Sequence, residues 1–113
     1  MNELVTKLTE KQHVVASRPT QTAESLKESI DRDYVHILFT ETDTELGIRL
    51  RRNECKFESV DFPNAKGTVR LVGGLILDYS KVKCTADIDL TNCEGVGFLE
   101  PVTDEEYKIL MNK

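Results

Sequence analysis

Hydrophobic residues recur at helical spacing in the first third of the chain. Leu4, Val5 and Leu8 fall on one side of the N-terminal segment, with charged residues on the other side. This spacing predicts a short amphipathic helix that ends near Gln12. Segment 13–19 should interrupt the helix, because the residue before a proline is pushed toward extended geometry.

A second helix is predicted after this break. Thr20 or Thr22 supplies an N-cap, and Ala23, Leu26 and Ile30 form a narrow apolar stripe. Both helices are short, and helices of this length are marginal when they stand alone in water. They must therefore dock on the remainder of the chain or on another chain.

From residue 34 onward the spacing of apolar residues is typical of β-strands. Segment 34–40 is rich in β-branched and aromatic residues, and segment 45–51 alternates between apolar and polar positions. Turn-forming residues fill segment 61–67, and the pair Gly73 and Gly74 indicates a tight turn or a bulge. The spacing predicts about six to seven short strands before residue 100.

The last segment carries the most complete local signal. Thr103, followed three residues later by Glu106, forms a capping box, and Val102 with Tyr107 fits a hydrophobic staple. These residues predict a closing helix over 104–111.

Two helices, a series of strands and a final helix predict an α+β fold. Consecutive strands with short connections favour an antiparallel sheet. We expect two short N-terminal helices, a curved antiparallel sheet or partial barrel of about six to seven short strands, and a C-terminal capping helix. The 113 residues fit a single domain. Its expected parts are a helical segment 1–33, an antiparallel β region 34–100 and a closing helix 101–113.

Composition and charge narrow the classes of function. Hydrophobic residues make up 39% of the chain, which is enough to build a core and argues against disorder. The formal net charge of −5 argues against general nucleic-acid binding, because affinity for a phosphate backbone comes from cations. No apolar run is long enough to span a bilayer, and the N-terminus lacks a secretory signal. We therefore expect a cytoplasmic protein, of a bacterial cell or of an infected host cell.

The sequence holds no motif for metal binding, cofactor binding or covalent catalysis. Cys55, Cys84 and Cys93 are expected to be reduced, although Cys84 and Cys93 could pair if they lie on neighbouring strands. His13 is expected in a loop, and His36 is expected as a hydrogen-bonded residue of a strand. The spacing of these residues matches no zinc site, and no glycine cluster matches a phosphate-binding loop. We predict no cofactor, no metal site and no catalytic residue.

Asp87 and Asp89 lie two residues apart and so share one face of a predicted strand. Such a pair is usually the solvated side of a strand, although two carboxylates on one face could also bind a divalent cation. If the chain were an enzyme, Asp87, Asp89 and Cys93 would be the residues to test.

Arginines are concentrated in the middle strands. Arg49 and Arg51 project from one strand face, and Arg70 is placed to join them from a nearby strand. Arginine suits planar, bidentate recognition of carboxylate or phosphate. Either these residues form a solvated face with cross-strand ion pairs, or they form a patch that contacts an anion.

Two functional hypotheses follow, from different classes of protein. The first is a non-catalytic protein-interaction domain, acting as an assembly subunit or as a small adaptor or inhibitor of a larger macromolecule. It would contact another protein, or a second copy of itself, through the apolar helix residues Leu4, Val5, Leu8, Leu26 and Ile30. The second is a small-molecule binding domain, which would hold an anionic, nucleotide-like ligand with the arginine patch Arg49, Arg51 and Arg70.

Overall fold

Antiparallel strands and short helices build this chain, as the prediction of an α+β fold requires. The structure is a computed structural model in which the described residues form six strands and three helices. The described residues are 3–16, 20, 22–51, 54–58, 60–77 and 79–111, with the backbone alone at 3–5 and 111. The elements in chain order are α1 (Glu3–Leu8), β1 (Gln12–Ala16), α2 (Ala23–Asp31), β2 (Tyr34–Phe39), β3 (Thr44–Leu50), β4 (Thr68–Leu77), β5 (Ser80–Asp89), β6 (Glu94–Pro101) and α3 (Asp104–Met111).

The sheet is a closed barrel, and this corrects the expectation of a partial one. Each strand pairs antiparallel with the next, and β1 also pairs with β6. In β1, Val14 lies opposite Phe39 of β2, and Gln12 lies opposite Gly97 of β6. The sequence patterns predicted a break between the first two helices, where the structure has this strand. Because β1 bonds to both neighbours, it covers the two edges that a partial barrel would expose.

Alternate residues of the strands fill the barrel. In β3, Leu46, Ile48 and Leu50 are buried, while Glu45 and Arg49 are exposed, as the alternation predicts. The largest fully buried side chains of the barrel strands are Phe39, Ile37, Ile48, Leu50, Leu71, Ile88 and Leu99. Burial of these side chains is the main favourable contribution to folding.

The first two helices pack into the same core. α2 begins after Thr22, whose hydroxyl accepts a hydrogen bond from the Ser25 amide at 3.1 Å. Its buried residues Ala23, Leu26 and Ile30 belong to the core cluster of the barrel. Within the described residues, no helix combines the length and the apolar character that crossing a bilayer requires.

α3 has the bounds and the cap that the sequence predicts. The Thr103 hydroxyl accepts a hydrogen bond from the Glu106 amide at 3.1 Å, and the Glu106 carboxylate accepts one from the Thr103 amide at 3.2 Å. The helix packs against β4 and β5. Its first turn is tied to β5 by Lys81, whose Nζ lies 2.8 Å from Asp104 Oδ1. The closing helix therefore lies against the β4–β5 hairpin.

Gly73 and Gly74 lie in the middle of β4, so the prediction of a turn at this pair is wrong. They face Leu50 and Arg49 of β3 in the strand pairing. A Cβ atom at Gly73 would collide with the backbone carbonyl of Arg49. Glycine at this position therefore permits the close approach of two strands rather than a change of chain direction.

Candidate functional site

A row of outward-facing side chains crosses three strands of the barrel wall. Arg70 of β4 lies opposite Asp87 of β5, and Asp87 lies opposite Val96 of β6. Lys56, in the segment before β4, pairs with Arg70 on its other side. Side chains of directly paired residues have Cβ atoms about 5 Å apart. The barrel therefore brings together four residues that lie far apart in the sequence.

A bidentate ion pair stands at the centre of this row. Arg70 donates from Nε to Asp87 Oδ1 at 2.8 Å and from a terminal nitrogen to Asp87 Oδ2 at 3.0 Å. The hydrogen bond from Arg70 lowers the pKa of the Asp87 carboxyl, partial desolvation opposes this shift, and the charges of Arg70, Lys11 and Lys56 reinforce it. Both lysines therefore lie close enough to act on Asp87, one on each side of the ion pair.

Two open grooves flank the ion pair. The larger, which we call the Lys11 groove, has a volume of about 400 Å³ and is lined by Lys11, Arg70, Thr85, Asp87, Val96 and Phe98. The second, the Lys56 groove, has a volume of about 390 Å³ and is lined by Lys56, Glu58, Thr68, Arg70 and Asp87. The Lys56 groove balances its lysine with a second carboxylate, Glu58. The Lys11 groove has two cations and one carboxylate.

Apolar side chains form part of the surface of the Lys11 groove. Val96 is 48% exposed, and Phe98, two residues further along β6, is half-buried. The Lys11 Nζ lies 5.9 Å from the centre of the Phe98 ring, within the range of a cation–π contact. The groove thus combines an apolar surface with a positive charge on a chain whose formal net charge is −5.

Sequence reasoning missed Lys11, Val96 and Phe98. Val96 and Phe98 are separated by Gly97, so their spacing places both on one face of a strand. That alternation was a usable signal, since two apolar side chains on the solvent side of a strand are less common than polar ones. No comparable pattern in the sequence marks Lys11. Its place beside Phe98 follows only from the pairing of Gln12 with Gly97.

The predicted arginine patch is extended along the barrel wall. Arg49 is exposed and lies opposite Gly74, four residues along β4 from Arg70. That separation is about 13 Å along an extended strand. The Arg51 amide donates to the Val72 carbonyl at 2.8 Å, between the other two arginines. Arg70 is the arginine of this set that borders both grooves.

The predicted helix contact residues occupy the interior. Leu8, Leu26 and Ile30 all belong to the core of this chain and have almost no exposed surface. Leu4 and Val5 lie in α1, and their side chains are outside the described part of the chain. An interaction surface built on Leu8, Leu26 and Ile30 would require the barrel core to open.

The cysteines are free thiols, and two of them are buried. Burial raises the pKa of the Cys84 thiol to about 12, which keeps it protonated and unreactive at neutral pH. Cys93 lies in the turn after β5, where its amide donates to the Asp89 carbonyl at 2.8 Å. Asp89 is five residues from Cys84 along the strand, or about 17 Å. Cys84 and Cys93 are therefore too far apart to form the disulfide that the sequence left open.

Asp87 and Asp89 have separate partners. Asp87 binds Arg70, whereas Asp89 accepts a hydrogen bond from the Thr91 amide at 2.9 Å, which lowers the pKa of Asp89. Within the described ranges, no three acidic, histidine or cysteine side chains are grouped as metal ligands would be. The geometry thus places these two carboxylates in a cross-strand ion pair and in a turn.

His13 differs from its predicted setting, whereas His36 lies in a strand as predicted. His13 lies in β1 rather than in a loop, and its ring nitrogens lie 2.8 Å from Thr40 Oγ1 and 2.8 Å from Glu94 Oε1. It therefore ties β1 to the end of β2 and the start of β6. His36 is exposed on β2 and meets the ring of Tyr34 edge-on, with 5.2 Å between ring centres. Neither borders the two grooves.

No protein-family model matches the chain. The curated proteins include no match either. Function is therefore inferred from the two outer-face grooves and the residues that border them.

The ion pair at the centre of the row should give a small stability that depends on pH. Because the folded-state pKa of Asp87 is lowered, its pairing stabilises the fold above the unfolded-state pKa of about 3.9 and is lost as the pH falls through the folded-state value. Arg70 and Asp87 are 44% and 42% exposed, so Arg70→Gln should cost at most about 1 kcal/mol at pH 7. Urea unfolding of the wild-type chain and of Arg70→Gln should show that the difference in unfolding free energy shrinks below about pH 4. In the background of Asp87→Asn, Arg70→Gln should have little effect at any pH, and an unchanged cost there would contradict the pairing.

Proposed function

We propose that this chain is a non-catalytic protein-interaction domain that contacts another protein through the Lys11 groove. It would act in the cytoplasm, as an assembly subunit or as a small adaptor or inhibitor. The observation that carries this proposal is the apolar surface formed by the exposed Val96 and the half-buried Phe98, bordered by Lys11 and by the Arg70–Asp87 pair. Apolar and aromatic surface with a polar border is typical of protein contact sites.

The closed barrel supports contact through side chains rather than through strand addition. β6 pairs with β5 along its whole length and with β1 over residues 94–97, so it has no free edge at Val96. A partner cannot add a strand there without displacing β1. It can lie across the outward-facing side chains, where the Lys11 groove is open.

Native mass spectrometry with matched variants tests this proposal. The purified chain is measured before and after incubation with cell lysate, and any captured protein is identified by sequencing. Val96→Asp places a charge on the groove surface without disturbing the core, because Val96 is half-exposed. Ile109→Asp makes the same kind of change on exposed α3, away from the groove. We expect the wild-type chain and Ile109→Asp to capture the same identified partner and Val96→Asp to lose it.

Retention of that partner by Val96→Asp would overturn the proposal, as would a wild-type chain that captures no protein. A mass at twice that of the chain, lost only in Val96→Asp, would identify the partner as a second copy.

A small anionic ligand is the second candidate, supported by the size of the Lys11 groove. Its volume of about 400 Å³ falls within the range of small-molecule sites, and Arg70 and Lys11 border it. A nucleotide-like ligand should raise the melting temperature by mass action. A thermal-shift screen of nucleotides and phosphorylated metabolites at millimolar concentration tests this candidate, and the absence of any shift would exclude it.

A further inference from the structure

Lys11 is a cation whose charge has no carboxylate of its own. Among the residues that the structure describes, Lys11 forms no ion pair, and its Nζ contacts the ring of Phe98. Its charge acts on the carboxylate of Asp87, which already accepts two hydrogen bonds from Arg70. A positive charge beside an apolar surface is thus available to a group from outside the chain.

The apolar part of the groove lies within reach of that charge. Lys11 precedes β1, and the pairing of Gln12 with Gly97 sets it beside Phe98. Val96 lies two residues before Phe98 and points to the same side of β6. Thr85 of β5 lies opposite Phe98 and also lines the groove. An occupant that matches this surface needs an apolar side chain next to a negative charge.

We propose that the Lys11 groove binds an acidic segment of a partner protein, with a carboxylate against Lys11 and an apolar side chain against Val96 and Phe98. This inference rests on the proposed function and specifies the chemistry of the partner. Charge complementarity carries it: Lys11 and Arg70 face one carboxylate, Asp87, at a site on an otherwise acidic chain. Such complementarity selects among partners and speeds their association.

The same geometry disfavours a phosphate-rich ligand. Arg70 is held by Asp87, so a single unpaired lysine would have to balance a phosphate dianion close to the Asp87 carboxylate. Nucleic acids gain affinity from many cationic contacts, and the net charge of the chain opposes them. A single carboxylate next to an apolar side chain needs only one unpaired cation and an adjacent apolar surface, and the groove provides both.

Fluorescence anisotropy with a defined peptide tests this inference. The probe is a fluorescein-labelled peptide of about eight residues with alternating glutamate and leucine, long enough to cross the paired strands β5, β6 and β1. The same peptide with serine in place of glutamate, inorganic phosphate as a competitor, and labelled oligothymidylate of equal length are measured alongside it. We expect binding of the glutamate peptide, weaker binding of the serine peptide, and a decline in affinity as salt is added.

Three variants locate the contact. Lys11→Glu should weaken binding of the glutamate peptide by about tenfold or more, because it replaces attraction by repulsion. Lys27→Glu makes the same charge change on α2, where Lys27 pairs with Asp31, and should leave the affinity unchanged. Asp87→Asn removes the competing carboxylate and releases Arg70, so it should tighten binding by roughly fivefold. Circular dichroism and thermal melting establish that each variant is folded.

Equal binding of the glutamate and serine peptides, no binding of the glutamate peptide at millimolar concentration, or an unchanged affinity for Lys11→Glu would overturn the acidic-segment inference. Preferential binding of the oligothymidylate, or full competition by phosphate, would replace it with a phosphate ligand. If the peptide fails while Val96→Asp still abolishes capture of a partner, the inference is wrong and the proposed function stands. If both experiments fail, the Lys11 groove is not a protein-interaction site.

Discussion

Phe39→Ala is expected to lower the free energy of unfolding by about 3–5 kcal/mol. Phe39 has no exposed surface and lies at the end of β2, opposite Val14 of β1 and Thr44 of β3. Removing the ring takes away buried apolar surface and leaves a cavity beside the strand that closes the barrel. Since a domain of this kind is stable by only about 5–15 kcal/mol, one substitution would remove a large part of that stability.

Urea unfolding followed by circular dichroism measures this loss, with Phe98→Ala as the matched control. Phe98 carries the same side chain but lies half-buried on the outer face of β6, so its removal should cost much less. Equal losses for the two variants would contradict the assignment of Phe39 to the core and of Phe98 to the surface.

Gly95→Ala is expected to destabilise the barrel by about 3 kcal/mol or more, although it adds a single methyl group. Gly95 lies in β6 between Ile88 of β5 and Val14 of β1. A Cβ atom there would collide with the backbone carbonyl of Asp87. A backbone atom within a paired strand cannot move aside without disrupting the hydrogen bonds on both sides of β6, so strain of this kind is not easily relieved.

Gly97→Ala provides the graded comparison in the same strand. Its added Cβ would lie 3.1 Å from a side-chain carbon of Val14 and 3.2 Å from the Thr85 carbonyl oxygen, and shifts of a few tenths of an ångström relieve contacts of this length. We therefore expect a smaller loss, measured as a smaller fall in the urea midpoint. A larger effect at Gly97 than at Gly95 would show that the strand spacing differs from the one described.

Features that depend on neighbouring residues could be predicted from the sequence. The capping box of Thr103 and Glu106 defines the start of α3 within a few residues, so its hydrogen bonds follow from the local sequence. The alternation along β3 is local in the same way, and so is the N-cap of α2, which was predicted at Thr20 or Thr22 and lies at Thr22. Each of these was predicted because the residues that decide the conformation lie within one turn or one strand.

Barrel closure depends on distant residues and was not predicted. β1 has only five residues, and its short apolar run has no periodicity that distinguishes a strand from an interrupted helix. What decides its conformation is hydrogen bonding to β2 and β6, far along the chain. The prediction of a turn at Gly73 and Gly74 failed for a related reason, because glycine is used both in turns and at close contacts between strands.

The candidate site was predicted in part, for the same physical reason. Arg70 could be selected from the sequence, because arginines concentrate in the middle strands. Its bond to Asp87 depends on the register of β4 and β5, which places the two residues directly opposite each other. The contact of Lys11 with Phe98 depends on closure by β1. A site assembled across strands becomes visible only once the pairing of those strands is known.

Closure of the barrel by β1 creates an opportunity for strand exchange between copies of this chain while they fold. The partners of β1 on β6 lie about 80 residues further along the sequence, so closing the barrel carries a larger entropic cost than forming the β4–β5 hairpin. Until closure, β2 and β6 each present an open edge that any β1 segment can occupy with the same hydrogen bonds. In a concentrated refolding mixture the nearest such segment belongs to another molecule. Exchange of this one strand between two chains would then produce a dimer that has native contacts throughout and that separates only when both barrels open.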